Sequence, residues 1–74
     1  MENAEAQRQQ VMLGEQVRRL REERGLSQME LAELANVHRT YISSLENGRR
    51  NAAINLIYRL ADGLDVHVRD LFPV

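Results

Sequence analysis

Seventy-four residues suffice for one small hydrophobic core, so a single domain is expected. Cysteine is absent, which excludes disulfides and zinc–thiolate sites, and no apolar run nears the ~18–20 residues of a membrane span; a cytoplasmic address with no membrane partner is expected. Hydrophobic residues reach 43%, too many for a disordered chain, and the net charge of −1 argues against a nonspecific coat on nucleic acid.

Residues 1–12 open with MENAEAQRQQ, which holds no large apolar side chain after Met1. They are expected as a polar arm or a polar extension of the first helix, ahead of a domain over 13–74. Leu13, Val17 and Leu20 then fall at i, i+4 and i+7, the stripe of an amphipathic helix, and Gly25 ends it. Ser27-Gln28-Met29-Glu30 reads as a capping box that starts a short helix with Leu31, Leu34 and Ala35 inward. Asn36 tolerates the left-handed conformation and stops that helix after about two turns. Val37 enters the next helix, with His38 near its N-cap, Arg39-Thr40-Tyr41 in its first turn, and Val37, Ile42 and Leu45 as its buried side. Asn47-Gly48 stops it, and Arg49-Arg50-Asn51 is a polar loop. A fourth helix carries Ile54, Ile57, Leu60, Ala61 and Leu64 on one face, with Leu56 and Tyr58 about 100° to either side. A last short turn, Val68 to Phe72, is closed by Pro73. Nothing alternates with period two. The expected fold is all-α, five helices in one domain.

The informative unit is the pair of short helices around Asn36. A capped two-turn helix, a left-handed turn residue and a second helix with an exposed polar start are what a helix-turn-helix requires. Its second helix must enter a major groove about 12 Å wide and offer polar side chains to base edges. Arg39, Thr40, Ser43 and Ser44 occupy outward positions here, and the two serines are short enough for close approach. The plainer alternative is a helical hairpin with a solvated polar face. Charge is spread unevenly: residues 1–17 sum to −2, residues 18–50 to +2 and residues 51–74 to −1. All ten basic residues are arginine, whose planar fork suits phosphates and guanine edges, although codon bias would give the same composition.

The stretch GLSQMELAELANVHRTYISSLENGRRNAAI resembles the Xre/Cro-type helix-turn-helix domain of bacterial and phage repressors. Within it, HRTYISSLENGRRN is most similar to the small controller proteins of restriction–modification systems. The resemblance covers residues 13–72 and implies a lambda-repressor-like five-helix fold. The chain departs from the family at Asn36, where glycine is usual, and at Gly63-Leu64-Asp65-Val66, where Ala-Leu-Gly-Val is usual. Carried over residue by residue, the resemblance makes Arg39 the main base reader, bidentate to a guanine. Thr40 would meet a base, a phosphate or a thymine methyl, and Ser43 and Ser44 a base or phosphate. Gln28, Asn47, Arg49, Arg50 and Asn51 would hold the phosphate backbone. Tyr41 would reach a phosphate or the groove wall, or else be a half-buried packing ring. Arg21 and Glu46 would form an internal salt bridge between the first and third helices.

No catalytic or cofactor chemistry is expected. His38 reads as an N-cap or phosphate-edge residue; His67 lies 29 positions away with no second ligand at metal spacing, so no metal site is expected. Glu22-Glu23 and Glu30/Glu33 are solvated helix faces, and no nucleophile triad or phosphate loop is present. Leu56, Tyr58, Val66, Val68, Leu71 and Phe72 exceed what one small core buries. A homodimer through the fourth and fifth helices is therefore expected, unless these residues finish the monomer core. The partners would be a two-fold double-stranded DNA operator, a second copy of the chain and, at a promoter, a contact with RNA polymerase. The expected function is a dimeric transcriptional regulator controlling its own gene and a restriction endonuclease gene. A phage-type repressor, a DNA-binding antitoxin and an interaction module without DNA binding are the alternatives; Gln28, Arg39, Thr40 and Arg50 together argue against the last.

Overall fold

Four α-helices and a closing 3-10 turn make up residues 4–72, which the computed structural model describes, and no strand occurs among them. α1 spans Ala4–Glu23, α2 Gln28–Ala35, α3 Arg39–Glu46, α4 Ile54–Leu64, and the 3-10 turn Val68–Leu71. Pro73 and the first three residues of the polar segment lie outside the described residues. The fold is all-α, with one correction. The expected fifth helix is a four-residue 3-10 turn, too short for a ladder of i→i−4 bonds, and it closes through Asp70 N–H to His67 O and Phe72 N–H to Arg69 O.

α2 packs against both α3 and α4, α1 lies on α3, and the 3-10 turn closes over α4 and α1. Val17, Leu31, Ile42, Leu45, Leu60 and Leu64 fill the centre with no exposed surface. α1 continues well before Leu13, so residues 4–12 are helical. It can lie close on α3 because of Gly14: a Cβ there would stand 2.2 Å from the Leu45 carbonyl oxygen.

Two expected inward residues are exposed, Leu34 at 56% and Ile54 at 69%. The buried face of α2 centres on Ala35 between Leu31 and Ala32, and Leu34 lies about 100° away from it. α4 is contacted by α2 and the 3-10 turn together, so its buried arc extends to Leu56 and leaves Ile54, the first helical residue, beyond its edge. Val37 precedes α3 instead of joining it.

All four helices end alike. Gly25, Asn36, Gly48 and Asp65 adopt φ of 67°, 58°, 74° and 57°. The next residue sends its N–H back to the carbonyl five positions earlier: Leu26 to Arg21, Val37 to Ala32, Arg49 to Ser44 and Val66 to Ala61, at 2.9–3.1 Å. This closure normally seats an apolar residue on the helix it ends, and Leu26, Val37 and Val66 do pack on the core. Arg49 is the exception.

Candidate nucleic-acid interface

α3 has two faces. Ile42, Leu45 and Glu46 are buried, whereas Arg39, Thr40, Ser43, Ser44 and Asn47 share an outward arc of roughly 140° at 100° per residue. Arg39, Thr40 and Asn47 are exposed, and Ser43 and Ser44 are half-buried. The arc begins at a capped end: His38 takes the N-cap and its ring nitrogen Nδ1 accepts from the Thr40 backbone N–H at 3.1 Å.

The loop after α3 carries the remaining cations. Arg49, Arg50 and Asn51 are exposed. Arg50 lies over the Tyr41 ring, 4.6 Å from its centre, and the Tyr41 hydroxyl donates to the Asn51 carbonyl at 2.9 Å. That bond uses the only proton the hydroxyl has, so Tyr41 cannot donate to a phosphate while the loop keeps this shape. Tyr41 is half-buried and braces the loop, which is the packing alternative. Arg49 occupies the helix-closing position where the other three helices place an apolar side chain. It forgoes a hydrophobic contact to keep its guanidinium in water.

The net charge conceals this arrangement. Arg8, Arg18, Arg19, Arg21 and Arg24 each have a glutamate within 2.6–3.7 Å. Among the described residues, Arg39, Arg49, Arg50, Arg59 and Arg69 have no ion pair. Three of these five, Arg39, Arg49 and Arg50, lie on α3 and the loop after it.

Beneath this face lies a polar anchor. Arg21 Nε donates to Glu46 Oε2 at 2.7 Å and Arg21 Nη2 to Glu46 Oε1 at 3.0 Å, a bidentate pair with both partners buried. Arg21 Nη1 also donates to the Leu26 carbonyl at 2.7 Å. The hydrogen bonding to the Glu46 carboxylate, stronger than the opposing effect of burial, holds the Arg21 pKa above its ordinary value. Gln28 Nε2 donates to Glu46 Oε1 at 3.1 Å, so one of its N–H groups joins the anchor and the other is left for a ligand. α1, α2 and α3 are thereby tied at one buried carboxylate. Nothing in the sequence pattern points Gln28 toward Glu46.

An outward polar helix start, a closely packed first motif helix and a turn at Asn36 are the geometry of a helix-turn-helix. The Helix-turn-helix family pattern matches residues 17–71. The chain belongs to the helix-turn-helix family. Similar members include control protein C.SmaI of Serratia marcescens, 42% identical over 60 residues that cover 81% of this chain and 71% of that protein. Control protein C.BamHI of Bacillus amyloliquefaciens is 37% identical over 62 residues, 82% of this chain and 76% of that one. The crystal structure of the restriction-modification controller protein C.AhdI from Aeromonas hydrophila superposes with a TM-score of 0.82 at 42% identity, covering 84% of this chain and 94% of that chain.

The residues expected at a dimer seam divide. Leu56 and Leu71 are buried in this chain's own core, and Val66 and Val68 are half-buried against it. A partner could not reach Leu56 or Leu71 without unpacking the monomer, because α4 and the 3-10 turn close on each other. Tyr58 and Phe72 remain exposed at 59% and 43%. Phe72 joins Met12, Leu13, Ile54 and Ile57 in lining an apolar groove of about 550 Å³ between α1 and the start of α4. Ile54, expected on the buried face of α4, is exposed at this groove, and Met12, one residue before the Leu13 stripe, was not singled out by the sequence. No helix among the described residues is long and apolar enough to cross a membrane.

Proposed function

We propose that this protein is a homodimeric, sequence-specific DNA-binding regulator that controls its own promoter and that of a restriction endonuclease. The observation that carries the reading is the grouping of three unpaired arginines, Arg39, Arg49 and Arg50, on α3 and its following loop, while the arginines of α1 are neutralised by glutamates. Arg39 is the base reader, with Thr40, Ser43 and Ser44 beside it on the same arc. Arg49, Arg50, Asn47 and Asn51 hold phosphates, with the free N–H of Gln28 at the edge. The similarity to control proteins supports restriction–modification control in particular.

A single domain offers few base contacts, and a two-fold pair on a two-fold site doubles them. The exposed apolar residues Ile54, Tyr58, Phe72 and Met12 are the surface for that pairing, in place of the buried Leu56 and Leu71. Two copies beside a promoter would act on RNA polymerase by exclusion or contact.

The test is binding to the DNA upstream of the protein's own gene and to scrambled DNA at two salt concentrations. The expected preference is at least ~10³-fold, with log affinity falling by about 0.9 per phosphate neutralised for each log unit of salt. Arg39→Ala should erase the preference and leave the folded state intact. Equal weak binding to both DNAs by the unchanged chain would defeat the reading.

A further inference from the structure

The His38 ring lies at the start of α3 with Nδ1 3.1 Å from the Thr40 backbone nitrogen and 2.6 Å from Thr40 Oγ1. A backbone N–H can only donate, so Nδ1 offers its lone pair and is unprotonated. The neutral ring then carries its proton on Nε2. A hydroxyl 2.6 Å from that lone pair is accommodated only by donating to it as well, and threonine has one hydroxyl proton to give. His38 and Thr40 are both exposed, on the end of α3 that carries the outward arc.

We infer that His38 sets the hydrogen-bond polarity of Thr40, so that Thr40 turns only oxygen lone pairs and its methyl group toward DNA and selects a base bearing an amine. The inference rests on α3 being the DNA-contacting helix. In the major groove adenine N6 and cytosine N4 donate, whereas guanine O6 and thymine O4 accept. A freely rotating hydroxyl serves either kind and discriminates between neither. A hydroxyl whose proton is committed to His38 is attracted to the amines and repelled by the keto oxygens. Phosphate oxygens also lack a proton to give, so Thr40 is directed to a base and away from the backbone. Arg39, which can only donate, takes the opposite kind of base edge. His38 is thus a positioning residue that turns two adjacent side chains into a donor followed by an acceptor.

Two measurements on the full chain test this. Nitrogen NMR of the His38 ring should place the proton on Nε2 and leave Nδ1 bare; a proton on Nδ1 overturns the inference without any DNA present. The second is selection from a random DNA pool by the unchanged chain and by His38→Ala, Thr40→Val and His38→Asp. The unchanged chain should enrich one position in adenine or cytosine. His38→Ala and Thr40→Val should lower that preference roughly threefold to tenfold while the guanine read by Arg39 is retained. His38→Asp, whose carboxylate accepts from both the N–H and the hydroxyl, should restore it. An unaltered base profile in His38→Ala, whatever its affinity, would mean that His38 only caps the helix. If the unchanged chain enriches no motif, the DNA reading itself fails and this inference with it; the NMR result separates the two failures.

Discussion

Arg21 and Glu46 join residues 25 positions apart by two hydrogen bonds in a nearly dry setting, with side-chain exposures of 11% and 2%. Removing one member strands the other as a buried charge, which costs about 3–5 kcal/mol. A domain this small holds only ~3–5 kcal/mol in all. Glu46→Ala is therefore expected to be largely unfolded at 37 °C, as circular dichroism melting would show. The Arg21 pKa is raised in the folded state. Its contribution is therefore present at every pH below the ordinary arginine value and is lost only as pH climbs through the raised one. Arg49 behaves oppositely. Replacing it with leucine supplies the apolar closing contact that the other three helix ends possess, so Arg49→Leu should melt at the same temperature or higher. The same variant should bind DNA more weakly at all sequences, with a salt slope smaller by about one unit.

At the scale of elements, two glycines inside helices look equivalent from local preference, since alanine is favoured over glycine by about 1 kcal/mol in a helix interior. Their surroundings separate them. At Gly14 a Cβ would meet the backbone oxygens of Leu45 at 2.2 Å and Glu46 at 3.0 Å, and backbone cannot swing aside. Gly14→Ala should push α1 off α3 and lower stability by ~1–3 kcal/mol. At Gly63 the nearest atom is Leu34 Cβ at 3.1 Å, a looser approach than at Gly14 that a shift of α2 by a few tenths of an ångström relieves. Gly63→Ala should be neutral or stabilising by up to about 1 kcal/mol, a rise of a few degrees in Tm. Thermal melts of the two variants side by side decide the point. The departure at Gly63 is thus a loosened helix turn that also accommodates Leu34.

For the molecule as a whole, the proposed pairing of two copies needs an exposed surface to bury. Exposed apolar residues gather where the first half of α1 faces the start of α4, and Ile54 is 69% exposed. A charge there leaves the monomer core untouched and would have to be buried in a pair. Ile54→Asp is expected to sediment as a folded monomer at concentrations where the unchanged chain is dimeric, and to lose most of its operator affinity. Unchanged sedimentation would place the seam elsewhere. The surface ion pairs of α1, with side chains 52–69% exposed, are worth only a few tenths of a kcal/mol each. Their larger effect is to cancel positive charge along α1.

Much of the fold was legible in the chain because its signals are local. The Ser27–Glu30 capping box, the left-handed stops at Gly25, Asn36 and Gly48, and the polar start of α3 each depend on bonds spanning five residues or fewer. Those bonds are local, so residue type and spacing located the capped and left-handed helix ends and the side chains α3 turns outward, but not the fifth helix, which proved a 3-10 turn. Burial was less legible. Leu34 and Ile54 against Leu56 and Leu71 were sorted by where neighbouring helices lie, since an apolar side chain at the edge of a stripe is buried only if another element covers it. The same holds for the Tyr41 hydroxyl spent on Asn51, Gln28 drawn to Glu46, and Gly14 under α3. Each depends on an atom delivered from another helix or loop. The pairs of Arg8, Arg18 and Arg19 are local ones at three and four residues, whereas only the packed structure could bring Arg21 to Glu46, because that pair joins two helices.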